Sequence, residues 1–206
     1  MSFETIAAEK AALRRIMRAR RAALVPEVRA VASLAVRDQL MAWLASMPVA
    51  CEGMISGYWP IRDELDPRPA MQALAERGYR LSLPVSIGRG EPLAFRAWAP
   101  SEPLAPDIMG IEAPLPSAPA VTPALLLVPM LAFDPACRRL GYGAGFYDRT
   151  LAALRRAGAT IAVGLALSEQ EVDRVPIGPD DAPLDAVVTE NRLVVGTSAG
   201  MPLSRR

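Results

Sequence analysis

The feature that most constrains the fold is a continuous apolar run, Ala124 to Val128, bounded by a proline on each side. A strand of this composition has no polar face to turn towards water, so other parts of the chain must cover both of its faces. Such strands occur in the centre of parallel sheets, where the connecting helices pack on the two sides. The run therefore predicts an α/β protein.

Helical and strand patterns alternate on both sides of this run. Helices are predicted at residues 2–24, from Pro26 onward, at 66–77 and at 145–156. Strands are predicted at 54–59, 79–84, 93–98, 124–129 and 160–167, with a hairpin at 186–189 and 192–195. This order indicates an α/β fold: a three-layer open, mainly parallel sheet with helices on both faces. We expect one domain at residues 1–196, a flexible tail at 197–206, and an extended surface loop in the proline-rich segment 100–123.

Composition excludes several classes of function. The formal net charge is +1, whereas general nucleic-acid binders usually carry a strong basic excess. The chain has no histidine, which excludes a histidine base, a histidine metal ligand and a serine–histidine–aspartate triad. Cys51 and Cys137 lack the spacing of a zinc or disulfide site. No apolar run is long enough to span a membrane, and basic residues interrupt the N-terminal segment, unlike a signal peptide. We expect a cytoplasmic protein, monomeric or weakly dimeric, without a membrane or nucleic-acid partner.

A glycine-rich segment between the buried strand and the following helix carries the candidate chemistry. Gly141, Gly143 and Gly145 alternate in it, and Arg139 precedes them. Open α/β sheets place ligands at this edge, and glycines let backbone amides approach an anion beside a helix N-terminus. Asp148, in the first turn of the helix, is best explained by a metal ion between its carboxylate and a phosphate. The pattern favours a nucleotide-phosphate site; the alternative is a tight turn with a helix-capping aspartate.

The segment RRLGYGAGFYDRTL resembles the glycine-rich motif of the 5-formyltetrahydrofolate cyclo-ligase family. Three further blocks resemble the family in order and spacing, at residues 10–14, 58–66 and 175–185. The resemblance extends from Lys10 to Glu190, which is nearly the whole chain. The glycine-rich block is its most specific part, and four blocks in register are hard to obtain by chance.

The resemblance implies two substrate sites and a metal site. ATP would bind to Lys10, Ala11, Ala12, Leu13, Arg14, Arg139, Leu140, Gly141, Tyr142, Gly143, Ala144, Gly145, Phe146 and Tyr147. The folate would contact Trp59, Glu64, Tyr142, Gly143 and Phe146. Mg²⁺ would be held by Asp148 and Asp181. The catalytic residues would be Lys10, Arg14 and Arg139, because these cations can balance charge on a transferring phosphoryl group.

The reaction that the resemblance implies is the cyclisation of 5-formyltetrahydrofolate to 5,10-methenyltetrahydrofolate, with ATP as cosubstrate, Mg²⁺ as cofactor, and release of ADP and phosphate. In the family's scheme, ATP phosphorylates the formyl oxygen, N10 attacks the activated carbon, and phosphate leaves. No protein nucleophile is needed. Two alternatives stay open: a non-catalytic nucleotide- or folate-binding paralogue, and an enzyme like the sugar-phosphate isomerases or CoA transferases.

Individual assignments also leave alternatives open. Lys10 and Arg14 lie four positions apart and share a helix face, which fits a solvated basic surface as well as a phosphate site. Glu64 could be a surface acid, with Asp63 or Asp66 as the folate ligand instead.

The remaining alternatives concern departures from the family pattern. Pro179 and Asp180 stand where relatives often carry glutamate and histidine or asparagine, so either Asp180 or Asp181 could face the metal. Phe146 replaces the first tyrosine of the family's Tyr-Tyr-Asp pattern. Tyr142 stands where some relatives have arginine, which removes one possible phosphate cation.

Overall fold

The computed structural model describes residues 3–47, 53–158 and 160–196. Its helices are α1 (Phe3–Ala22), α2 (Pro26–Ser46), α3 (Arg68–Glu76) and α4 (Phe146–Ala157), with a short 3-10 helix at Ser168–Gln170. Its strands are β1 (Met54–Ser56), β2 (Leu81–Val85), β3 (Ala94–Ala97), β4 (Leu104–Pro106), β5 (Glu112–Pro114), β6 (Pro123–Val128), β7 (Ala132–Phe133), β8 (Arg139–Leu140), β9 (Ile161–Leu165), β10 (Ala186–Val188) and β11 (Leu193–Val195). The predicted tail at 197–206 lies outside the described residues, so the division into one domain and a tail stays a prediction.

Seven strands form the central sheet, in the order β11-β10-β9-β6-β1-β2-β3. The five inner strands run parallel, whereas β3 and β11 pair antiparallel at the two edges. The predicted hairpin near the C-terminus is present as β10–β11, with Val188 opposite Leu193. The prediction of a mainly parallel sheet is therefore confirmed.

The alternation of side chains along β6 divides the core into two layers. Leu125 and Leu127 pack with α2 and α3 on one face of the sheet. Leu126 and Val128 pack with Leu151 of α4 on the other face. All four β6 side chains are at most 1% exposed, and burying each contributes roughly 1.5–3 kcal/mol. Helices on both faces confirm the predicted three-layer fold.

Helix α1 packs beside the sheet rather than on it. Leu13 and Met17 contact Leu131, Ala132 and Leu140 around the short β7–β8 hairpin. Arg15, Arg18 and Arg20 of this helix are exposed, whereas Arg21 is buried. In the described part of the chain, no helix combines the length and apolar character needed to cross a membrane.

Residues 100–123 differ from the predicted extended loop, because they contain the β4–β5 hairpin. Asp107 stabilises the turn: its carboxylate accepts hydrogen bonds from the amides of Ser86, Met109 and Ile111 at 2.8, 2.8 and 3.1 Å. Its carbonyl accepts the amide of Gly110 at 2.9 Å, and Gly110 has φ +75°. Aspartate at the first position of a turn and glycine at the fourth are a known turn signal, which the many prolines obscured.

Strand β1 ends at Ser56, so it is shorter than the predicted 54–59. The chain then forms a turn at residues 60–66, called here the acidic turn, before α3 begins. The Tyr58 hydroxyl donates to the carbonyl of Leu65 at 2.9 Å and closes this turn. Residues 57–59, which were predicted to belong to the strand, instead connect β1 to the acidic turn that carries Glu64.

Gly164 of β9 lies where neighbouring side chains leave no room for a methyl group. A Cβ built there would lie 2.2 Å from Met130 Cε and 2.7 Å from Leu184 Cδ1. We expect Gly164→Ala to lower the free energy of unfolding, measured by urea denaturation, by about 1–3 kcal/mol, the usual cost of overpacking a core. The control is Gly158→Ala, where a Cβ meets nothing within 4 Å and the change should stay below about 0.5 kcal/mol. Equal losses in both variants would contradict this explanation.

Candidate functional site

A cleft of about 980 Å³ opens at the carboxyl ends of the parallel strands β1, β2 and β6. Segments that follow these strands line it, including Trp59 after β1, Ser86 after β2 and Pro129 after β6. Helix α1, the β4–β5 hairpin and the loop at residues 178–182 complete the wall. Open α/β sheets bind ligands at this edge, and the volume suits a nucleotide-sized molecule.

Lys10 and Arg14 reach the cleft from α1. Lys10 Nζ donates to Asp181, and Arg14 Nε donates to the carbonyl of Gly141 at 2.9 Å. Their spacing of four residues accounts for the shared direction. Both side chains therefore lie in the cleft rather than on a solvated face, and their role as phosphate ligands stays a prediction.

The other α1 residues of the predicted ATP site do not line the cleft. Ala11 and Ala12 are exposed, and Leu13 packs against the β7–β8 hairpin. Ile6 and Ala7 line the cleft instead. The helical repeat accounts for Ala11 and Ala12, which stand one and two positions beyond Lys10 and point in other directions.

The glycine-rich loop (residues 139–147) runs along the cleft to the N-terminus of α4. Gly143 has φ +107° and Gly145 has φ +69°, backbone geometry that residues with a side chain rarely adopt. A Cβ at Gly145 would also lie 2.7 Å from Arg149 Nη1. Since α4 begins at Phe146, its first-turn amides have no partners within the helix. The loop therefore has the properties of an anion cradle.

Glu64 is a buried acid in the cleft, with only 7% of the residue exposed. Its Oε2 accepts a hydrogen bond from the amide of Ile61 at 2.8 Å, whereas Oε1 is buried without a hydrogen-bond partner. Burial raises the pKa of this carboxyl, and the nearby Tyr142 hydroxyl and the Ile61 amide oppose the rise. A buried polar atom without a partner costs folding free energy. Such a cost is expected where a ligand provides the missing donor.

The two neighbouring acids are engaged elsewhere. Asp63 accepts two hydrogen bonds from the Arg21 guanidinium at 2.9 and 3.1 Å. Asp66 accepts the amide of Arg68 at 2.9 Å and pairs with its guanidinium at 2.7 Å, at the start of α3. The cleft is lined by Glu64 and by neither of these two residues. The geometry therefore favours Glu64 over the alternatives that the sequence left open.

Glu64→Gln is expected to stabilise the folded protein near neutral pH. The pKa of Glu64 in the folded state is raised above its ordinary value of 4.5. The folded state therefore binds this proton more tightly than the unfolded chain, and the free energy of unfolding falls as pH rises through the interval between the two pKa values. Glutamine carries no charge, so the variant lacks this fall and should be more stable at pH 7 by about 1 kcal/mol.

Urea denaturation of both proteins between pH 4 and 8 tests this expectation. The difference in the free energy of unfolding should shrink as the pH falls towards the ordinary pKa of a glutamate. A difference that is constant over the range, or a less stable variant at pH 7, would contradict the description of Glu64 as a buried, poorly compensated acid.

Asp148 and Asp181 are held on adjoining segments. Arg139 Nη2 donates to Asp148 Oδ1 at 2.5 Å, and the amide of Ala182 donates to the same oxygen at 3.3 Å. Asp181 accepts the ammonium group of Lys10 on its Oδ2. The Ala182 contact brings Asp148 against the loop that carries Asp181.

The oxygen donors of these segments fit Mg²⁺ bound to phosphates. Asp148, Asp180 and Asp181 all line the cleft, and carboxylate oxygens are the ligands that Mg²⁺ prefers. Within residues 3–47, 53–158 and 160–196, no three acidic, cysteine or histidine side chains gather as a metal cluster. Mg²⁺ is usually bound by one or two carboxylates together with phosphate and water oxygens.

Aromatic rings give the cleft an apolar wall. Trp59 meets Trp98 edge to face with 6.1 Å between ring centroids, and the Arg68 guanidinium lies 5.3 Å from the Trp59 ring. Phe146 is covered by Arg149 at 5.5 Å. These contacts hold both rings in place, and a flat heterocycle can stack on such surfaces.

Sequence reasoning missed three contributions to this region. Arg149 lines the cleft and donates to the carbonyl of Ala144 at 2.7 Å; no spacing in the sequence indicates this contact. Glu112 lines the cleft from the β4–β5 hairpin, which the proline-rich composition concealed. Arg21 contacts Tyr142 of the glycine-rich loop. The sequence did contain one indication of this: Arg21 stands eleven residues after Lys10, which is about three helical turns and therefore on the same face of α1.

Comparison with known proteins gives consistent matches over most of the chain. A sequence model of the 5-formyltetrahydrofolate cyclo-ligase family matches residues 6–190. The 5-formyltetrahydrofolate cyclo-ligase of Escherichia coli is 32% identical over 186 residues, which cover 86% of this chain and 98% of that protein. The Mycolicibacterium smegmatis protein of the same name is 33% identical over 166 residues, covering 77% and 84%. The NMR structure of Aquifex aeolicus 5,10-methenyltetrahydrofolate synthetase superposes with a TM-score of 0.71 at 27% identity, covering 90% of this chain and 92% of that one.

Proposed function

Because this chain belongs to the 5-formyltetrahydrofolate cyclo-ligase family, and is thus a ligase, we propose that it converts 5-formyltetrahydrofolate to 5,10-methenyltetrahydrofolate. ATP would be the cosubstrate and Mg²⁺ the cofactor, with ADP and phosphate as the other products. We expect this reaction in the cytoplasm. A monomeric or weakly dimeric state also stays a prediction.

One observation carries the proposal. A single cleft joins a buried carboxylate oxygen without a hydrogen-bond partner, on Glu64, to a glycine-rich loop with cations beside it. The first feature suits a neutral heterocycle with N–H donors along one edge, and the second suits a polyphosphate. A reaction that needs a pterin and ATP side by side requires both.

Glu64 would bind the pterin ring of the folate. The 2-amino group and the adjacent ring N–H present two donors to one carboxylate, and a site built around such donors discriminates strongly. Trp59 and Phe146 would contact the flat ring. Tyr142 and Gly143 of the glycine-rich loop would approach the same substrate from the nucleotide side.

Lys10, Arg14 and Arg139 would neutralise the phosphates of ATP. Lys10 and Arg139 already pair with Asp181 and Asp148, so each can keep its position while it contacts a phosphate oxygen. The backbone amides of the glycine-rich loop would add hydrogen bonds from uncharged donors. Such fixed donors stabilise a transferring phosphoryl group without reorganisation during the reaction.

Asp148, with Asp181 or Asp180, would hold the magnesium ion. When bound, Mg²⁺ supplies positive charge to the phosphates and helps to align them. The protein side of this arrangement is two carboxylate-bearing segments joined by the Ala182 hydrogen bond.

The chemistry then follows from alignment. The terminal phosphoryl group of ATP would move to the oxygen of the formyl group that N5 carries, and ADP would leave. N10 would attack the formyl carbon and lose its proton to solvent, the bond between that carbon and its oxygen would break, and the oxygen would depart in phosphate. The protein would hold the reacting atoms together and exclude water, so the reaction requires no protein nucleophile.

Purified protein mixed with 5-formyltetrahydrofolate and MgATP tests the proposal. The near-ultraviolet absorbance of the methenyl product should rise, and one ADP should form for each product molecule. Omitting either substrate should abolish both signals. Binding of both substrates without turnover would indicate a non-catalytic relative, and no binding of either would reject the proposed function.

A further inference from the structure

The side chain of Arg21 joins three segments beneath the cleft. The residue is 3% exposed. Its Nε and Nη2 donate to the two carboxylate oxygens of Asp63 at 3.1 and 2.9 Å. Its Nη1 donates to the Tyr142 hydroxyl at 2.5 Å and to the carbonyl of Met130 at 3.4 Å. One buried cation of α1 therefore connects the acidic turn, the end of β6 and the glycine-rich loop.

The pair formed by Arg21 and Asp63, with its two parallel hydrogen bonds, has the geometry of a strong ion pair. A two-point pairing of guanidinium and carboxylate fixes both partners in orientation as well as distance. Burial opposes the charge of Arg21, but the hydrogen bonds with Asp63 and Tyr142 outweigh it, and its pKa is raised above the ordinary value. The same pairing lowers the pKa of Asp63. Both groups therefore stay charged at neutral pH, and removing either leaves the other unpaired.

Two of the three segments that Arg21 connects, the acidic turn and the glycine-rich loop, contribute to different halves of the cleft. Asp63 directly precedes Glu64, the proposed pterin ligand. Tyr142 lies between Gly141 and Gly143 in the glycine-rich loop, the proposed phosphate cradle. Glycines give a backbone wide conformational freedom, so side-chain contacts such as this one determine where the loop lies. Beside the network is a second cavity of about 300 Å³, lined by Arg21, Asp63, Glu64 and Tyr142 among others.

We propose that Arg21 is a positioning residue that couples the folate and nucleotide sites, so that binding of either substrate strengthens binding of the other. This inference rests on the proposed function. A ligand that orders the acidic turn through Glu64 also orders Tyr142 through Asp63 and Arg21. The second ligand then meets a loop that is already in place, and its binding costs less conformational entropy.

Isothermal titration calorimetry tests the coupling. The Kd of 5-formyltetrahydrofolate is measured with and without a non-hydrolysable ATP analogue and Mg²⁺, and the Kd of the analogue with and without the folate. Wild-type protein should show mutual tightening of about 5-fold or more, equal in both directions because coupling is reciprocal. Arg21→Gln should reduce the factor to about 1. Tyr142→Phe, which removes only the hydroxyl, should reduce it as well, and the double variant should show no further loss.

Arg155→Gln is the matched control, because it also removes an arginine–aspartate pair, with Asp185 at 2.9 Å, but outside the cleft. It should retain the wild-type coupling factor. A purely structural role for Arg21 would weaken both separate complexes and lower the unfolding temperature while leaving the factor unchanged. If Arg21→Gln does not fold, Tyr142→Phe decides the question alone, because Tyr142 is 37% exposed and its loss of one hydroxyl leaves the Arg21–Asp63 pair intact.

Two results would overturn the proposal and leave the proposed function standing: wild-type protein that binds both ligands without coupling, or full coupling in Tyr142→Phe together with any folded Arg21→Gln. Wild-type protein that binds neither ligand would overturn both.

Discussion

Asp148→Asn is expected to lower kcat by about 100-fold or more, because the variant loses the negative charge that would hold the magnesium ion on the phosphates. The asparagine Oδ1 can still accept the hydrogen bonds that Arg139 and Ala182 donate to Asp148. The fold of the cleft should therefore survive, although the ion pair with Arg139 is weakened. Initial rates of methenyl formation across a magnesium titration measure the effect, and the apparent magnesium requirement should rise.

Asp185→Asn is the control for Asp148→Asn. Like Asp148, Asp185 pairs with an arginine (Arg155 of α4, at 2.9 Å) and accepts a backbone amide, that of Ala162 at 2.7 Å. It lies outside the cleft, so this variant should keep its turnover after correction for the folded fraction. If Asp148→Asn showed the wild-type rate and magnesium requirement, Asp148 would have no place in the metal site.

Glu64→Gln is expected to weaken binding of 5-formyltetrahydrofolate by about 100-fold or more, because hydrogen bonds to a charged group contribute roughly 1.5–3 kcal/mol each and two are proposed here. The glutamine also presents an N–H group where the pterin presents its own donors. The Kd of MgATP in the absence of folate should change by less than about threefold, since Glu64 would not contact the phosphates. Calorimetry with each ligand separately measures both values.

Glu102→Gln is the control for Glu64→Gln. Both glutamates accept the amide of the residue three positions earlier, Ile61 for Glu64 and Ala99 for Glu102, each at 2.8 Å. Glu102 is exposed and outside the cleft, so its variant should bind the folate normally. If Glu64→Gln weakened ATP binding more than folate binding, relative to the wild-type protein, the assignment of Glu64 to the folate would be wrong. A variant that is more stable yet binds poorly would identify Glu64 as a group kept for function at a cost in stability.

The layers of the fold could be predicted because they depend on local patterns. The apolar run at β6 required cover on both faces, and the side chains of Leu125 and Leu126 alternate between those faces as a strand demands. The glycine-rich loop ended at a helix N-terminus, as strand–loop–helix order predicts. Lys10 and Arg14 reached the cleft because their spacing of four residues fixes a common face.

What the sequence did not reveal depends on contacts between distant residues. Arg21 was one arginine among several in α1; its spacing from Lys10 indicates a shared helix face, but it does not show that the guanidinium is buried. Its partners, Asp63 and Tyr142, lie 42 and 121 residues away. The prediction for residues 100–123 was also wrong: the prolines predicted an extended loop, but the turn at Asp107 joins β4 and β5 into a hairpin.

The distances along the chain between partners in the cleft have a consequence for synthesis. Lys10 and its partner Asp181 are 171 residues apart, and Arg14 and the Gly141 carbonyl are 127 apart. A nascent chain therefore carries α1 through most of translation before the groups that Lys10 and Arg14 contact have left the ribosome. Until then Lys10 and Arg14 lack these native partners, and contacts this remote form late because closing a long loop is entropically costly.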